Sequence, residues 1–136
     1  MVLLKYLFFS LIILFKILKK IIMIQIYHNP RCGKSRNCLA FIHEANLSYE
    51  IIPYLTETPT FDELKSLIQK LNLKPIELVR IKEKIWIDEF KGKTLNDHQI
   101  IQAMADNPIL IERPIVIKDG KAIIGRDLDK VASFLK

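Results

Sequence analysis

Cysteine is scarce in this chain, with two among 136 residues, at positions 32 and 38. With only three histidines besides and no Cys-His clustering, that count excludes a disulfide scaffold and a structural zinc site, and no bound metal or cofactor is expected. Long apolar runs are missing too: Lys5 and Lys16 bound a stretch of ten residues, short of the roughly 20 needed to span a bilayer. No Ala-x-Ala-like cleavage site follows that stretch, so an export signal is not expected and the cytoplasm is the expected compartment. Acid is absent from residues 1–22, which hold four lysines. The formal net charge of +6 therefore falls to +2 over residues 23–136, which carry 17 basic and 15 acidic groups. A near-neutral body lacks the basic stripe of a general nucleic-acid surface, so any anion site must be local and no nucleic-acid partner is expected.

Residues 1–22, MVLLKYLFFSLIILFKILKKII, form a hydrophobic basic extension with two readings. One is an interfacial helix with Lys5, Lys16, Lys19 and Lys20 near anionic headgroups, which would be the chain's only membrane contact. The other, which we favour, is a mis-assigned start, with Met23 the true first residue, because a complete domain pattern begins at Ile24. Residues 23–136 have the size of one domain with one core, expected as a monomer, and contain no repeat or low-complexity linker.

Ile24 to Tyr27 is short, apolar and β-prone, and Asn29-Pro30 ends it, which predicts a buried strand running into a loop. Cys38, Leu39, Phe41, Ile42 and Ala45 then recur at helical spacing, predicting a helix over about 34–44. Tyr49 to Ile52 is a second strand. Thr60-Phe-Asp-Glu63 is a capping box ahead of Phe61, Leu64, Leu67, Ile68 and Leu71, the apolar stripe of a second helix. Pro75 suits the first turn of a short helix carrying Glu77 to Arg80, and Thr94 to Asp97 can cap another that buries Ile100, Ile101 and Met104. These make a helical insertion at about 60–106. Ile115 to Ile117 and Ala122 to Ile124 flank Asp119-Gly120, which supplies the positive φ values of a two-residue hairpin turn. Asp127 caps a last helix with Leu128, Val131, Ala132 and Leu135 toward the core. The order is α/β: a mixed four-stranded sheet, its first two strands parallel and its last two antiparallel, flanked by helices and interrupted by a helical subdomain.

Cys32 sits between Arg31 and Gly33 at the start of the first core helix, where unpaired backbone N–H groups and the helix dipole favour a thiolate or a bound oxyanion. Such a position lowers a thiol pKa from about 8.5 by one or more units. The alternative, a buried inert cysteine, fits poorly with the polar loop His28-Asn-Pro-Arg-Cys-Gly-Lys-Ser-Arg36. Cys38 lies six residues on, about 240° round an ideal helix, so the two thiols do not share a face and Cys38 reads as core, with a resolving thiol as the lesser alternative. His28 could raise the thiolate population, orient an anion, or make only a structural hydrogen bond. His43 and His98 show no partner pattern and read as surface.

The segment Ile26-Tyr-His-Asn-Pro-Arg-Cys-Gly-Lys-Ser-Arg-Asn37 closely resembles the active-site loop of the glutaredoxin-dependent arsenate reductase (ArsC) family. The resemblance runs from about Ile24 to Leu135, through Pro53-Tyr-Leu55, the helix before Arg80, Asn107-Pro-Ile-Leu-Ile-Glu-Arg-Pro-Ile-Val116 and Gly125-Arg126. It implies a thioredoxin-like fold, a nucleophile at Cys32, a histidine at His28, and oxyanion-handling arginines at Arg80, Arg113 and Arg126. It also implies that Arg113-Pro114 is the cis-proline bond facing the active cysteine. Arsenate is a tetrahedral oxyanion, and rigid guanidinium forks suit it. Arg113 is the arginine least readily read as solvated surface, since it directly precedes Pro114 and the strand at 115–117.

Ser35 stands where thioredoxins carry a second cysteine, so an external thiol must complete turnover. The expectation is arsenate reduction through a covalent Cys32 adduct, with glutathione as co-substrate and a glutaredoxin as partner. One alternative is another oxyanion or a mixed disulfide as substrate, since Arg31, Lys34 and Asp127 depart from the family's usual residues. Another is a redox regulator gripping RNA polymerase, for which Cys-x-x-Cys would be the expected motif and Ser35 is not.

Overall fold

The computed structural model describes the backbone of residues 1–136 and every side chain except those of residues 20–22. Strand β1 (Ile24–Tyr27) is buried along its whole length, as an apolar run covered on both faces must be. It pairs in parallel with β2 (Tyr49–Ile52) and antiparallel with β3 (Ile115–Lys118), and β3 pairs antiparallel with β4 (Lys121–Ile124). The order β2-β1-β3-β4 is the mixed four-stranded sheet of a thioredoxin-like fold. The hairpin turns on Asp119 (φ 53°) and Gly120 (φ 73°), and Lys118 opposite Lys121 lengthens each strand by one residue over the expectation.

Side chains alternate across the sheet and build two cores. Ile24, Ile26 and Val116 face α2 (Gly33–Glu44) and α6 (Leu128–Leu135), where they meet Cys38, Ile42 and Val131. Tyr27, Ile115, Ile117 and Ala122 face the other way, toward the helical insertion. There α3 (Phe61–Leu71) starts at a capping box in which Thr60 and Glu63 bond reciprocally, and α5 (Asp97–Asp106) at a second one between Asn96 and Gln99. Leu64, Leu67, Ile100, Ile101 and Met104 fill the space between them and the sheet.

Several expectations are corrected. The helix at Pro75 is a 3-10 turn that stops at Leu78, short of Arg80. Val79 leaves it to pair with Ile111, and Arg80 N–H donates to the Leu110 carbonyl at 2.7 Å, so a bridge takes the backbone groups that a longer helix would use. A further helix, α4 (Lys84–Glu89), was not anticipated; it buries Trp86 alone. Another 3-10 turn, Pro108–Leu110, precedes β3. Ala45 is exposed at the end of α2. Leu128, the first residue of α6, lies ahead of the packed turn and is exposed, while Phe134 joins the core contact.

Residues Val2–Ile22 form one helix, α1, whose large apolar side chains from Val2 to Leu18 are exposed. No helix among the described residues is long and apolar enough to cross a membrane.

Candidate active site

Asn29-Pro30 ends β1, and the chain turns back on itself before α2: Cys32 N–H donates to the Asn29 carbonyl at 3.1 Å and Arg31 N–H to Asn29 Oδ1 at 3.0 Å. Arg36, one turn into the helix, returns its Nη1 to the Pro30 carbonyl at 3.0 Å. The loop is thereby held by its own polar groups, with Cys32 as the extended N-cap residue of α2 (φ −95°, ψ 122°) and half-buried. An N-cap side chain faces the orphan N–H groups of the first turn, which sets the Cys32 sulfur beside them without a formed capping hydrogen bond.

Four groups stabilise the thiolate. Partial burial is the largest single influence and opposes ionisation; the Ser35 N–H, the Arg113 charge, the Lys34 N–H and Arg126 together outweigh it and bring the Cys32 pKa below 9.0. Arg126 Nη1 lies 3.8 Å from Sγ and also donates to the Arg113 carbonyl at 3.2 Å. That carbonyl belongs to the cis Arg113-Pro114 bond.

Gly125 explains how Arg126 reaches the sulfur. Its N–H donates to the Pro114 carbonyl at 2.8 Å, tying the exit of β4 to the entry of β3. A Cβ at this position would stand 2.9 Å from Cys38 Sγ and 3.1 Å from Val116, so only glycine permits the close approach. Cys38 itself is fully buried, and burial pushes its thiol up to about 11, leaving a packing residue rather than a second redox thiol.

His28 is buried at the end of β1, with Nδ1 2.7 Å from Ser35 Oγ. Asn29 N–H donates to the same oxygen at 3.0 Å. Ser35 Oγ thus holds both His28 and Asn29, the direction of the Nδ1–Oγ bond depending on the imidazole tautomer. Burial, then the Arg36 charge, lowers the His28 pKa. The ring is therefore neutral at pH 7 and hydrogen-bonded to Ser35, whose backbone N–H faces the thiolate. A lowered pKa does not favour raising the thiolate population through a His28 charge, and it leaves orienting an anion or a structural hydrogen bond open.

The three arginines are not equivalent. Arg126 touches the sulfur, and Arg113 acts on it by charge while its Nη1 stands 3.5 Å from the Glu112 carboxylate. Arg80 shares a cleft of about 370 Å³ with Arg113, Lys82, Glu83 and Glu112, but its guanidinium is engaged by the Glu83 carboxylate and donates to the Ile109 carbonyl at 3.1 Å. Glu83 follows Arg80 by three residues, a local pairing that the sequence reading did not weigh. Asn29 is expected only as part of the strand-ending break and Ser35 only as the place of a missing second cysteine; the signal for their further role is spacing, three residues either side of Cys32.

His43 and His98 are exposed, as expected, and each has one aromatic neighbour that the sequence pattern does not show. His43 Nδ1 is 2.9 Å from the Tyr49 hydroxyl, and the His98 ring packs 4.5 Å from Phe61. Among the described residues no group of three or more His, Cys, Asp or Glu side chains converges on a metal position.

The family model described as the ArsC family matches residues 27–134. An arsenate reductase of Neisseria meningitidis serogroup A is 37% identical over 114 residues, covering 82% of this chain and 97% of its own. A solved arsenate reductase from Vibrio cholerae is 38% identical with a TM-score of 0.78, covering 82% of this chain and 97% of its own. A solved Yersinia pestis protein is 43% identical with a TM-score of 0.77, over 81% and 98% of the two chains.

Proposed function

This chain is an oxidoreductase of the ArsC family, and from that premise we propose that it reduces arsenate to arsenite through a covalent adduct on Cys32. The observation that carries the reading is a single sulfur at a helix N-terminus, its pKa lowered, with Arg126 Nη1 at 3.8 Å and the Arg113 charge beside it.

In the first step the Cys32 thiolate attacks As(V), an S–As bond forms, and an As–O bond breaks. The leaving oxygen departs as water, carrying protons that arsenate already holds at neutral pH. Arg126 and Arg113, with the Ser35 and Lys34 N–H groups, offset the oxyanion charge as the bond forms. Reduction then requires two electrons from two thiols. The glutathione thiol displaces a second arsenic oxygen, which leaves as water, and a glutaredoxin thiolate then attacks the glutathione sulfur: an S–S bond forms, that S–As bond breaks, and its electron pair stays on arsenic as As(III). Hydrolysis of the S–As bond releases arsenite and restores the thiolate. The external donors follow from the chain's own residues: Ser35 occupies the place of a resolving cysteine and is committed to His28 and Asn29, and Cys38 is buried and protonated. A cytoplasmic setting, where thiols stay reduced, suits this chemistry. Residues 23–136 supply every group named here, and α1 supplies none.

Asp127, a departure from the family's usual residue, caps α6 by accepting from Asp129 N–H at 3.0 Å and Lys130 N–H at 3.4 Å. Its carboxylate is thus occupied away from the oxyanion. A second reading, reduction of a mixed disulfide, draws on the cleft of Arg80, Lys82, Glu83, Glu112 and Arg113, whose mixed charge suits a zwitterionic peptide thiol.

Incubation of the full chain with arsenate, glutathione and glutaredoxin tests the proposal. Arsenite should form with the wild type and fall to background in Cys32→Ser. No arsenite from the wild type, alongside turnover of a glutathione mixed disulfide, would favour the second reading.

A further inference from the structure

Two buried polar atoms have no hydrogen-bond partner among the described residues, the Tyr54 hydroxyl and Arg113 Nε. Buried donors in native proteins are nearly always paired, so each such group points to an acceptor supplied from outside the chain. The two residues are within electrostatic reach of each other. The Tyr54 hydroxyl is within electrostatic reach of Arg113, Arg80 and Cys32, and the Asn29 side chain stands beside it outside hydrogen-bond geometry.

The phenol is held firmly. Tyr54 follows Pro53 at the exit of β2, where its N–H donates to the Ile52 carbonyl at 2.9 Å. Its ring is fully buried and stacks on Tyr27 with centroids 6.2 Å apart and planes 15° apart. Tyr27 ends β1 directly before His28, so the strand that launches the Cys32 loop also fixes the ring. Burial keeps the hydroxyl protonated despite the two nearby guanidinium groups, which makes it a neutral donor throughout the working pH range.

We propose that Tyr54 is an oxyanion-binding residue of this site, its O–H donating, together with Arg113 Nε–H, to the oxygens of the tetrahedral anion held at Cys32. The inference rests on the oxyanion-site reading above and adds to it a neutral, directional donor among the charged ones. Arginine forks supply charge and tolerate several poses. A phenol locked by stacking selects one pose, and its contribution does not depend on ionic strength. Besides the anion, the acceptors near the hydroxyl are the Asn29 side chain and the Cys32 thiolate, and an anion and a thiolate lead to different measurements.

Tyr54→Phe in the full chain keeps the ring and its stacking and removes one unpaired polar atom, so its unfolding temperature should stay equal or rise. The probe is inorganic phosphate protecting Cys32 from iodoacetamide. In Tyr54→Phe the phosphate concentration giving half protection should rise roughly tenfold or more, with a parallel rise in KM for arsenate. The pH midpoint of Cys32 alkylation without anion should not move. Unaltered phosphate protection in the variant, beside a protected wild type, overturns the assignment and leaves the oxyanion site standing. A raised alkylation midpoint with unaltered protection also overturns it, giving the hydroxyl to the thiolate. A wild type that phosphate does not protect overturns the oxyanion site and this inference together.

Discussion

Arg126→Ala should raise the Cys32 thiol pKa by close to one unit. At 3.8 Å, a unit positive charge and a thiolate attract by about 1 kcal/mol in bulk water and about 4 kcal/mol at an effective dielectric constant of about 20. Arg126 is exposed and Cys32 only half-buried, so the water-like figure is nearer the truth, and about 1.4 kcal/mol corresponds to one pKa unit. On the acidic limb the thiolate fraction, and with it the alkylation rate, should fall about tenfold. The assay is the pH profile of iodoacetamide modification read by intact mass, in which Cys38 stays silent because it is buried and protonated. Arg31→Ala is the control, since Arg31 is exposed and does not act on the sulfur. The wild-type midpoint should drift upward with added salt as the contact is screened. An unmoved midpoint in Arg126→Ala, or an equal shift in Arg31→Ala, would refute the claim that this contact poises the thiol.

Ser35→Ala strips the His28 ring and the Asn29 N–H of their shared partner in a buried place, and should cost about 2 kcal/mol in urea unfolding. Gly125→Ala forces a Cβ against Cys38 Sγ and should cost about 1–3 kcal/mol; in a Cys38→Ala background the cost should shrink, which a double-mutant cycle would read. His28 has a folded pKa below its ordinary 6.5, so the unfolded chain binds the extra proton first. Its stability contribution is therefore complete above pH about 6.5 and is lost as pH falls toward the folded value, a slope that His28→Gln should flatten between those limits.

Local rules carried most of the architecture. A four-residue apolar run stopped by Asn29-Pro30, an Asp119-Gly120 turn and the Thr60–Glu63 capping box each act within a few residues, so their outcome is visible in the chain itself. What stayed hidden depends on distant partners or on very short elements. Helix α4 has six residues and one buried side chain, too little for a periodic stripe. The 3-10 turn at Pro75 ends because Val79 meets Ile111, a pairing across 32 positions. At the site, the loop and its resemblance pointed to Cys32 and the three arginines as candidates, while the different surroundings of the arginines were not legible. Arg80 is drawn to Glu83, Arg126 reaches sulfur only because Gly125 lets β4 close on Cys38, and Tyr54 looks like the end of an apolar strand until its hydroxyl is found among charges.

The account depends on Cys32 being more acidic in the folded protein than in the free chain. The thiolate ultraviolet absorbance of wild type minus Cys32→Ser, titrated with pH under native conditions and again in denaturant, measures this without any reagent. The native midpoint should lie below the denatured one; a native midpoint equal to or above it would contradict the account.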